Sequence, residues 1–395
     1  MDFDFSEDQV MIRDTARKFL EKECPKARVR ELKEDELGYD PRMWQGMAEL
    51  GWMGLILPEE YGGTGLTYMD LLVLMQEMGR NILPSPFLPT VALCALPILE
   101  YGSAEQKEKM LPEIVNGEKI YTLALTEGST NYEASGIELA VNSAGDDYLL
   151  SGAKLFVPYA HVADYLLVAG RTNRDGKPED GITLFIVDAK SHGINIEVMP
   201  TVAHDKQCEV RFDNVRIPRN NVLGGVNKGW EIVEFILQRG AVLKCAEMLG
   251  GVEAALEMTN NYAKERVQFD KPIGSFQAIQ HKLANILIGI EGLRYLVYKA
   301  AWHIDTGLPS KLLISMAKTR ANEVYQHTCL ECVKIHGAVG FTEELDLSLY
   351  FIRTKSLEFS LGDGGFHREK IACELEQLQP NIFSNIPDQT PSLIL

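Results

Sequence analysis

A single carboxylate set among glycines, Gly362-Asp363-Gly364-Gly365, is the stretch of the chain best suited to chemistry. Glycines on both sides free the backbone to bring the acid to a substrate, as proton abstraction requires. The same residues also suit a helix start, because Asp363 precedes Phe366, Ile371, Ala372 and Leu375, an amphipathic run it could N-cap. On the residues alone both readings stand. Earlier in the chain, Lys334-Ile335-His336-Gly337-Ala338-Val339-Gly340-Phe341 closes a helical pattern on glycines that let backbone N–H groups approach a phosphate.

The elements that must position these residues fall into compositional segments. Residues 1–119 read as helical. Ser6-x-x-Gln9 and Ser103-x-x-Gln106 are capping-box signatures, and Ile12, Ala16 and Leu20 recur at helical spacing beside Met11, Thr15 and Phe19. A helix is expected from Tyr68 to Gly79, broken by Leu83-Pro84-Ser85-Pro86-Phe87-Leu88-Pro89. Residues 120–228 carry short β-prone runs, at 148–157, 164–172, 181–188, 194–199 and 207–217, with turns and no helices between them, which implies a small antiparallel β domain. Residues 229–379 return to helices. Phe276, Ile279, Leu283, Ile286, Ile290, Leu293 and Val297 form one apolar stripe, and Leu313, Met316, Arg320, Val324 and Thr328 a second that ends at Gly337. Together these predict an α+β chain: an N-terminal α-helical domain, a middle β domain and a C-terminal four-helix bundle. A Pro-, Asn- and Ser-rich tail follows at 380–395.

The bulk numbers narrow the function. A length of 395 residues supports several cores, and 46% hydrophobic with 24% charged residues is an ordinary globular balance. The net charge of −17 argues against nucleic acid as a partner. The seven cysteines are odd in number and irregularly spaced, which suits a reducing compartment. The lone Cys329-x-x-Cys332 lies in a helical pattern without a second pair, so no metal site is expected. Met1-Asp2-Phe3-Asp4-Phe5 lacks the features of a signal or transit peptide, and no run is long enough for a membrane span, so the expected location is cytoplasmic.

Five segments, in order, resemble the acyl-CoA dehydrogenase family of flavoproteins: Pro58-Glu59-Glu60-Tyr61-Gly62-Gly63-Thr64-Gly65; Leu123-Ala124-Leu125-Thr126-Glu127; Phe212-Asp213-Asn214-Val215-Arg216-Ile217-Pro218; Arg266-Val267-Gln268-Phe269 onward to Phe276-Gln277; and Ile335 to Phe341. The resemblance implies the acyl-CoA dehydrogenase fold and FAD as cofactor. It implies contacts to the flavin ring from Leu123, Leu125, Thr126, Phe156 and Val157. Contacts to the FAD of a neighbouring subunit would come from Arg266, Gln268, Phe269, Ile273, Phe276 and Gln277, and diphosphate contacts from Lys334, Gly337 and Ala338. It further implies an acyl-CoA substrate, α,β-dehydrogenation, reoxidation by an electron-transfer flavoprotein, and a homotetramer built as a dimer of dimers, with a heteromer as the variant arrangement.

The departures concern the base. The usual pattern places a Glu in a Tyr-Glu-Gly-Thr loop, and Asp363 stands closest to it, one residue late when counted from Arg353. The resemblance therefore implies Asp363 as catalytic base. Glu358 is a fallback, placed unfavourably in the preceding helical run. Members with the base on the first helix of the C-terminal domain match here at Gly240, between Arg239 and Ala241, where no carboxylate stands. Pro158 replaces a frequent flavin-bonding Thr, Lys334 replaces a usual Gln, and Gly128 to Gly136 depart from the usual loop. The Asp-bearing loop resembles members acting on branched, cyclic or bulky acyl groups. A nitroalkane-oxidase-like flavin oxidase or monooxygenase and a base-less subunit of a heteromeric dehydrogenase are the alternatives.

Overall fold

A computed structural model describes residues 4–378 of the chain; the expected tail at 380–395 lies outside them. The N-terminal helices are α1 (Glu7–Glu23), α2 (Lys26–Glu34), α3 (Pro41–Glu49), α4 (Tyr68–Asn81), α5 (Leu96–Tyr101) and α6 (Ala104–Val115). Both expected capping boxes form, Ser6 with Gln9 and Ser103 with Gln106, and Thr67 with Asp70 makes a third at α4. The buried face of α1 is the Ala16 and Leu20 stripe, while Met11 is left largely exposed. The proline-rich break after α4 is present, and the buried turn of π-helix Leu88–Ala95 leads from it into α5.

The middle region is built from β1 (Tyr121–Ala124), β2 (Ala140–Ala144), β3 (Asp147–Pro158), β4 (Tyr165–Arg171), β5 (Ile182–Asp188), β6 (Ile194–Met199), β7 (Gln207–Pro218) and β8 (Val222–Leu223). The sheet runs β6-β7-β3-β2-β4-β5-β8. Its main ladders are antiparallel, as expected, but β1 lies parallel to β4 from Tyr121↔Tyr165 to Ala124↔Val168. β1 is buried along its whole length, so its sequence lacks the alternation that marks a half-solvated strand. β3 is bulged twice against β7, the second time between Lys154 and Val157.

The C-terminal bundle consists of α7 (Gly229–Glu265), a hairpin of β9 (Val267–Gln268) and β10 (Lys271–Pro272), α8 (Gln277–Asp305), α9 (Lys311–His336), α10 (Leu347–Ile352), α11 (Thr354–Phe359) and α12 (Gly364–Leu378). The α8 stripe is the buried one from Ile286 to Val297. The α9 expectation needs correction: Met316 and Arg320 face outward, and the buried face runs through Ile314, Ala317, Lys318, Ala321 and Tyr325. A fully buried lysine in the middle of that face broke the apolar pattern and rotated the reading by about one residue.

Helix α4 lies against α7 at a close crossing made by glycines on both partners. A methyl at Gly79 would overlap the Glu247 carbonyl, and one at Gly250 would overlap that of Gln76. This crossing holds the N-terminal helices to the bundle. Replacing Gly250 by Ala is expected to force the helices apart and destabilise the chain by about 3 kcal/mol, read as a lowered urea midpoint at unchanged m-value. The same substitution at Gly292 of α8, where a methyl meets nothing, should leave the midpoint unchanged or slightly raised.

Candidate active site

The residues assigned to the flavin ring come together where β1 ends beside the second bulge of β3. Leu123, Leu125 and Val157 are buried and form the floor. The Leu155 N–H donates to the Thr126 carbonyl at 2.8 Å, which lays the end of β1 against the bulge. In the bulge Phe156 has φ of +54° and stays 46% exposed. A bulky residue held left-handed with its ring uncovered is costly and persists where the surroundings impose it, as they do at ligand sites. The floor is braced from below by Lys154, whose side chain is 0% exposed. Its Nζ donates to the Leu125 carbonyl at 2.9 Å and to Glu127 Oε1 at 2.6 Å. Glu127 also accepts from the N–H groups of Glu138 and Leu139. The Pro158 carbonyl accepts from the Thr122 hydroxyl, so the backbone at this position is committed within the chain.

The acid loop joins α11 to α12. Leu361 and Gly362 have φ of +59° and +103°, and the chain is held in this shape by side chains from several elements. Lys318 of α9, fully buried, donates from Nζ to the carbonyls of Leu357, Glu358 and Gly362 at 3.1, 3.0 and 3.1 Å, and to Asn322 Oδ1 at 2.7 Å. The first two carbonyls are orphans of the last turn of α11, so the ammonium caps that helix. His367 Nε2 lies 3.0 Å from the Leu361 carbonyl, which makes Nε2 the protonated nitrogen. Burial pushes this imidazole down to about 4, so the ring is neutral near neutral pH.

Asp363 is the N-cap of α12: its Oδ1 accepts from Phe366 N–H at 2.8 Å and its carbonyl from His367 N–H at 3.1 Å. Among the described residues Oδ2 accepts no hydrogen bond, so one oxygen caps and the other is left over. The two readings of Asp363 are thus compatible. The neighbouring positions are closed. A Cβ at Gly362, the place of the usual acid, would stand 2.5 Å from the Phe366 ring and 2.7 Å from His367 Nε2. One at Gly240 would stand 2.6 Å from Leu93 and 2.9 Å from Leu361. Glu358 is paired with Lys355 at 2.6 Å.

The remaining assigned residues form a separate, exposed group at the end of the bundle. The β9–β10 hairpin turns on Phe269 and Asp270, at φ of +54° and +63°, a two-residue turn usually made with Asn and Gly. Phe269 is 86% exposed and meets Phe276 edge-on at 6.1 Å. The Arg266 guanidinium makes no hydrogen bond or ion pair among the described residues. Ile273 and Phe276 are half-buried, and Gln277 begins α8 in the open. The hairpin base reaches the glycine turn through Tyr262, which stacks on His336 at 4.3 Å. Gly337 has φ of +67° with open space where a Cβ would be, and Ala338 is exposed beside it. Lys334, expected at the diphosphate, is paired here with Glu331 at 2.6 Å, which also binds Lys282. Among the described residues no cluster fits a metal ion, and no helix is long and apolar enough to cross a membrane.

A helical domain, a small β domain and a helical bundle that hold an exposed aromatic bulge and an acid loop define a flavoprotein-dehydrogenase class of fold. The sequence profiles for the acyl-CoA dehydrogenase N-terminal, middle and C-terminal domains match residues 6–118, 122–215 and 227–375. The chain is 32% identical to the probable acyl-CoA dehydrogenase YngJ of Bacillus subtilis, covering 95% of this chain and all of the relative. It is 31% identical to a 3-(aryl)acrylate reductase of Clostridium sporogenes over 94% of its length and 99% of the relative's. It superposes on butyryl-CoA dehydrogenase from Megasphaera elsdenii with a TM-score of 0.89 at 30% identity, covering 95% of this chain and 100% of that one. The chain belongs to the acyl-CoA dehydrogenase family, whose members are FAD-dependent oxidoreductases.

Lys318, Lys154 and His367 were not legible as site residues, because nothing in their sequence context states that they will be buried against carbonyls. Burial lowers the Lys318 ammonium from its ordinary 10.5 to about 8. Between those values the unfolded chain binds the extra proton, so raising the pH through this window favours the fold. The gain from this group is up to about 3 kcal/mol. Lys318→Met takes no proton and lacks it. The stability difference, wild type minus variant, is expected to climb from pH 8 to 10.5 in urea melts; a difference flat across that range contradicts a lysine whose pKa burial has lowered.

Proposed function

We propose that the chain binds FAD and removes the α-proton and the β-hydrogen of an acyl-CoA thioester, delivering the electrons to an electron-transfer flavoprotein. The full three-domain match carries this reading. The residues fit the cofactor. The left-handed, uncovered Phe156 and the half-buried Thr126 present an edge over a floor of Leu123, Leu125 and Val157, suited to a flat ring. Arg266 offers its donor fork and Gly337 an open backbone to phosphate and ribose oxygens. When bound, FAD supplies the hydride acceptor.

The chain's own part is proton removal and positioning. Asp363 Oδ2 is the proton acceptor, and Oδ1 stays on the Phe366 N–H, which fixes the carboxyl plane. The short Asp side chain reaches less far than a Glu by about 1.5 Å, which the loop's displacement by one residue is suited to offset. An acyl chain and bound cofactor covering the acid would exclude water and raise its affinity for the proton. The exposed hairpin fits a site completed by a second copy of the chain, as in a homotetramer, and the uncovered Leu287 and Ile288 of α8 (48% and 69% exposed) supply an apolar contact face. Electron-transfer partners are named among the relatives, including the caffeyl-CoA reductase–Etf subunit CarC of Acetobacterium woodii, 34% identical over 86% of this chain.

A second reading, a base-less subunit of a heteromer, is favoured by the capping bond of Asp363 and by the closure of both Gly362 and Gly240. A solved relative is the ChsE4–ChsE5 complex of Mycobacterium tuberculosis, 26% identical with a TM-score of 0.87. Anaerobic titration of the purified yellow protein with short, branched and cyclic acyl-CoAs separates the two. We expect flavin bleaching with at least one thioester, and a loss of at least about a hundredfold in its rate in Asp363→Asn, which keeps the cap acceptor. Bleaching unchanged in that variant rejects Asp363 as the base, and flavin retained only with a second polypeptide supports the heteromer.

A further inference from the structure

The loop Gly128–Gly136, which departs from the family's usual sequence, reaches out of the β domain and lands on the acid loop. Asn131 Oδ1 accepts from Glu133 N–H at 2.6 Å, a local turn that follows the left-handed Thr130 (φ +55°) and presents Tyr132. The Tyr132 hydroxyl donates to the Phe359 carbonyl at 3.2 Å and accepts from the Leu361 N–H at 3.2 Å. Its ring packs on Phe366 with centroids 5.9 Å apart. Beside it Glu133 pairs with Lys370 of α12 at 2.9 Å, and the Lys370 ammonium lies over the same Phe366 ring. Burial of the phenol raises its pKa, so the hydroxyl keeps its proton and can donate. One phenol oxygen therefore joins the loop that follows the flavin-side strand to the left-handed Leu361 that precedes Gly362 and Asp363.

We propose that Tyr132 is a positioning residue that ties the Gly128–Gly136 loop, which continues the chain from Thr126, to the Phe359–Leu361 segment and so sets the separation between the ring-facing surface and the Asp363 carboxylate. Its catalytic consequence rests on the function proposed above. Lys318 and His367 hold the loop from within the bundle, on the carbonyls of Gly362 and Leu361. Tyr132 alone of these anchors reaches it from the β domain, and it takes the Leu361 N–H that no helix or strand uses. Without that bond the loop keeps its bundle anchors but loses its register against β1. A displacement of about 1 Å between reacting groups costs up to about a hundredfold in rate.

Tyr132→Phe keeps the ring on Phe366 and removes only the oxygen. Amide exchange of the apo chain reads the tie directly: exchange across 359–363 should rise by about tenfold or more, with α1 and α4 unchanged. In the FAD-loaded protein the variant should retain flavin and thermal midpoint. Its bleaching rate should fall about tenfold to a hundredfold with little change in half-saturating acyl-CoA. Placed on Asp363→Asn, Tyr132→Phe should cost no further rate, because it acts through that carboxylate. Unchanged exchange at 359–363 overturns the tie, and raised exchange with an unchanged bleaching rate overturns the positioning role. A wild-type protein that holds FAD but bleaches with no acyl-CoA overturns the function proposed above, and exchange then decides the tie by itself.

Discussion

The geometry of the site depends on one buried ammonium. Lys318 Nζ offers three N–H groups to four acceptors, three of them backbone carbonyls that accept no backbone N–H among the described residues. Removing an ammonium from water costs several kcal/mol, and only a dense set of acceptors offsets it. The arrangement is mutually dependent: the carbonyls would be orphans without the lysine, and the lysine could not stay charged in the core without the carbonyls. Two successive left-handed residues, Leu361 and Gly362, are unfavourable by themselves and persist because the surroundings over-determine them. The start of α12, the place of Asp363 and the packing of Leu361 against Gly240 all follow from that held shape.

Lys154 repeats the device in the β domain, on the Leu125 carbonyl rather than on a helix end. Each lysine stabilises a segment that regular secondary structure cannot: a strand end beside a bulge, and a linker between short helices. In the function proposed above, irregular backbone at both places lets a ring and an acid face a substrate from different directions. Burying a charge at each costs stability but leaves little freedom for either segment to drift. The exposed hairpin has no such brace. Its left-handed Phe269 and Asp270 and its uncovered Phe269 ring fit a surface whose stabilising contacts come from another molecule.

The sequence was most legible where a single period ruled. The five β-prone runs correspond to β3 to β7 within a residue or two at their ends, and the α8 stripe to its buried face. β1 and β8 are too short for alternation to show, and β1 is buried on every residue. The α9 stripe was misread because Lys318 and Asn322 occupy core positions that hydropathy assigns to solvent. The family motifs did bring Leu123, Leu125, Thr126, Phe156 and Val157 into one place. They could not show that Asp363 caps α12, since a cap and a base are written with the same residue type at the same point of the chain. Nor could they reveal Tyr132, whose partners are backbone groups more than two hundred residues away and belong to no motif.

The closed positions are linked through one side chain. Leu361 stands against Gly240, and its left-handed backbone precedes the turn at Gly362 that brings the Phe366 and His367 rings within reach of a Cβ. A carboxylate introduced at 240 would collide with Leu361 and Leu93, and one introduced at 362 with Phe366 and His367. The first contact is with side-chain ends that a rotamer change can move, whereas the second is with the rings of Phe366 and of His367, which itself anchors the Leu361 carbonyl. In the function proposed above, the place of the acid is therefore tied to the loop conformation as well as to the residue type at 363. With Leu361 left-handed, the next loop position that bears a side chain is the N-cap of α12, where one carboxylate oxygen takes the cap bond and fixes the orientation while the other stays open, as the function proposed above requires.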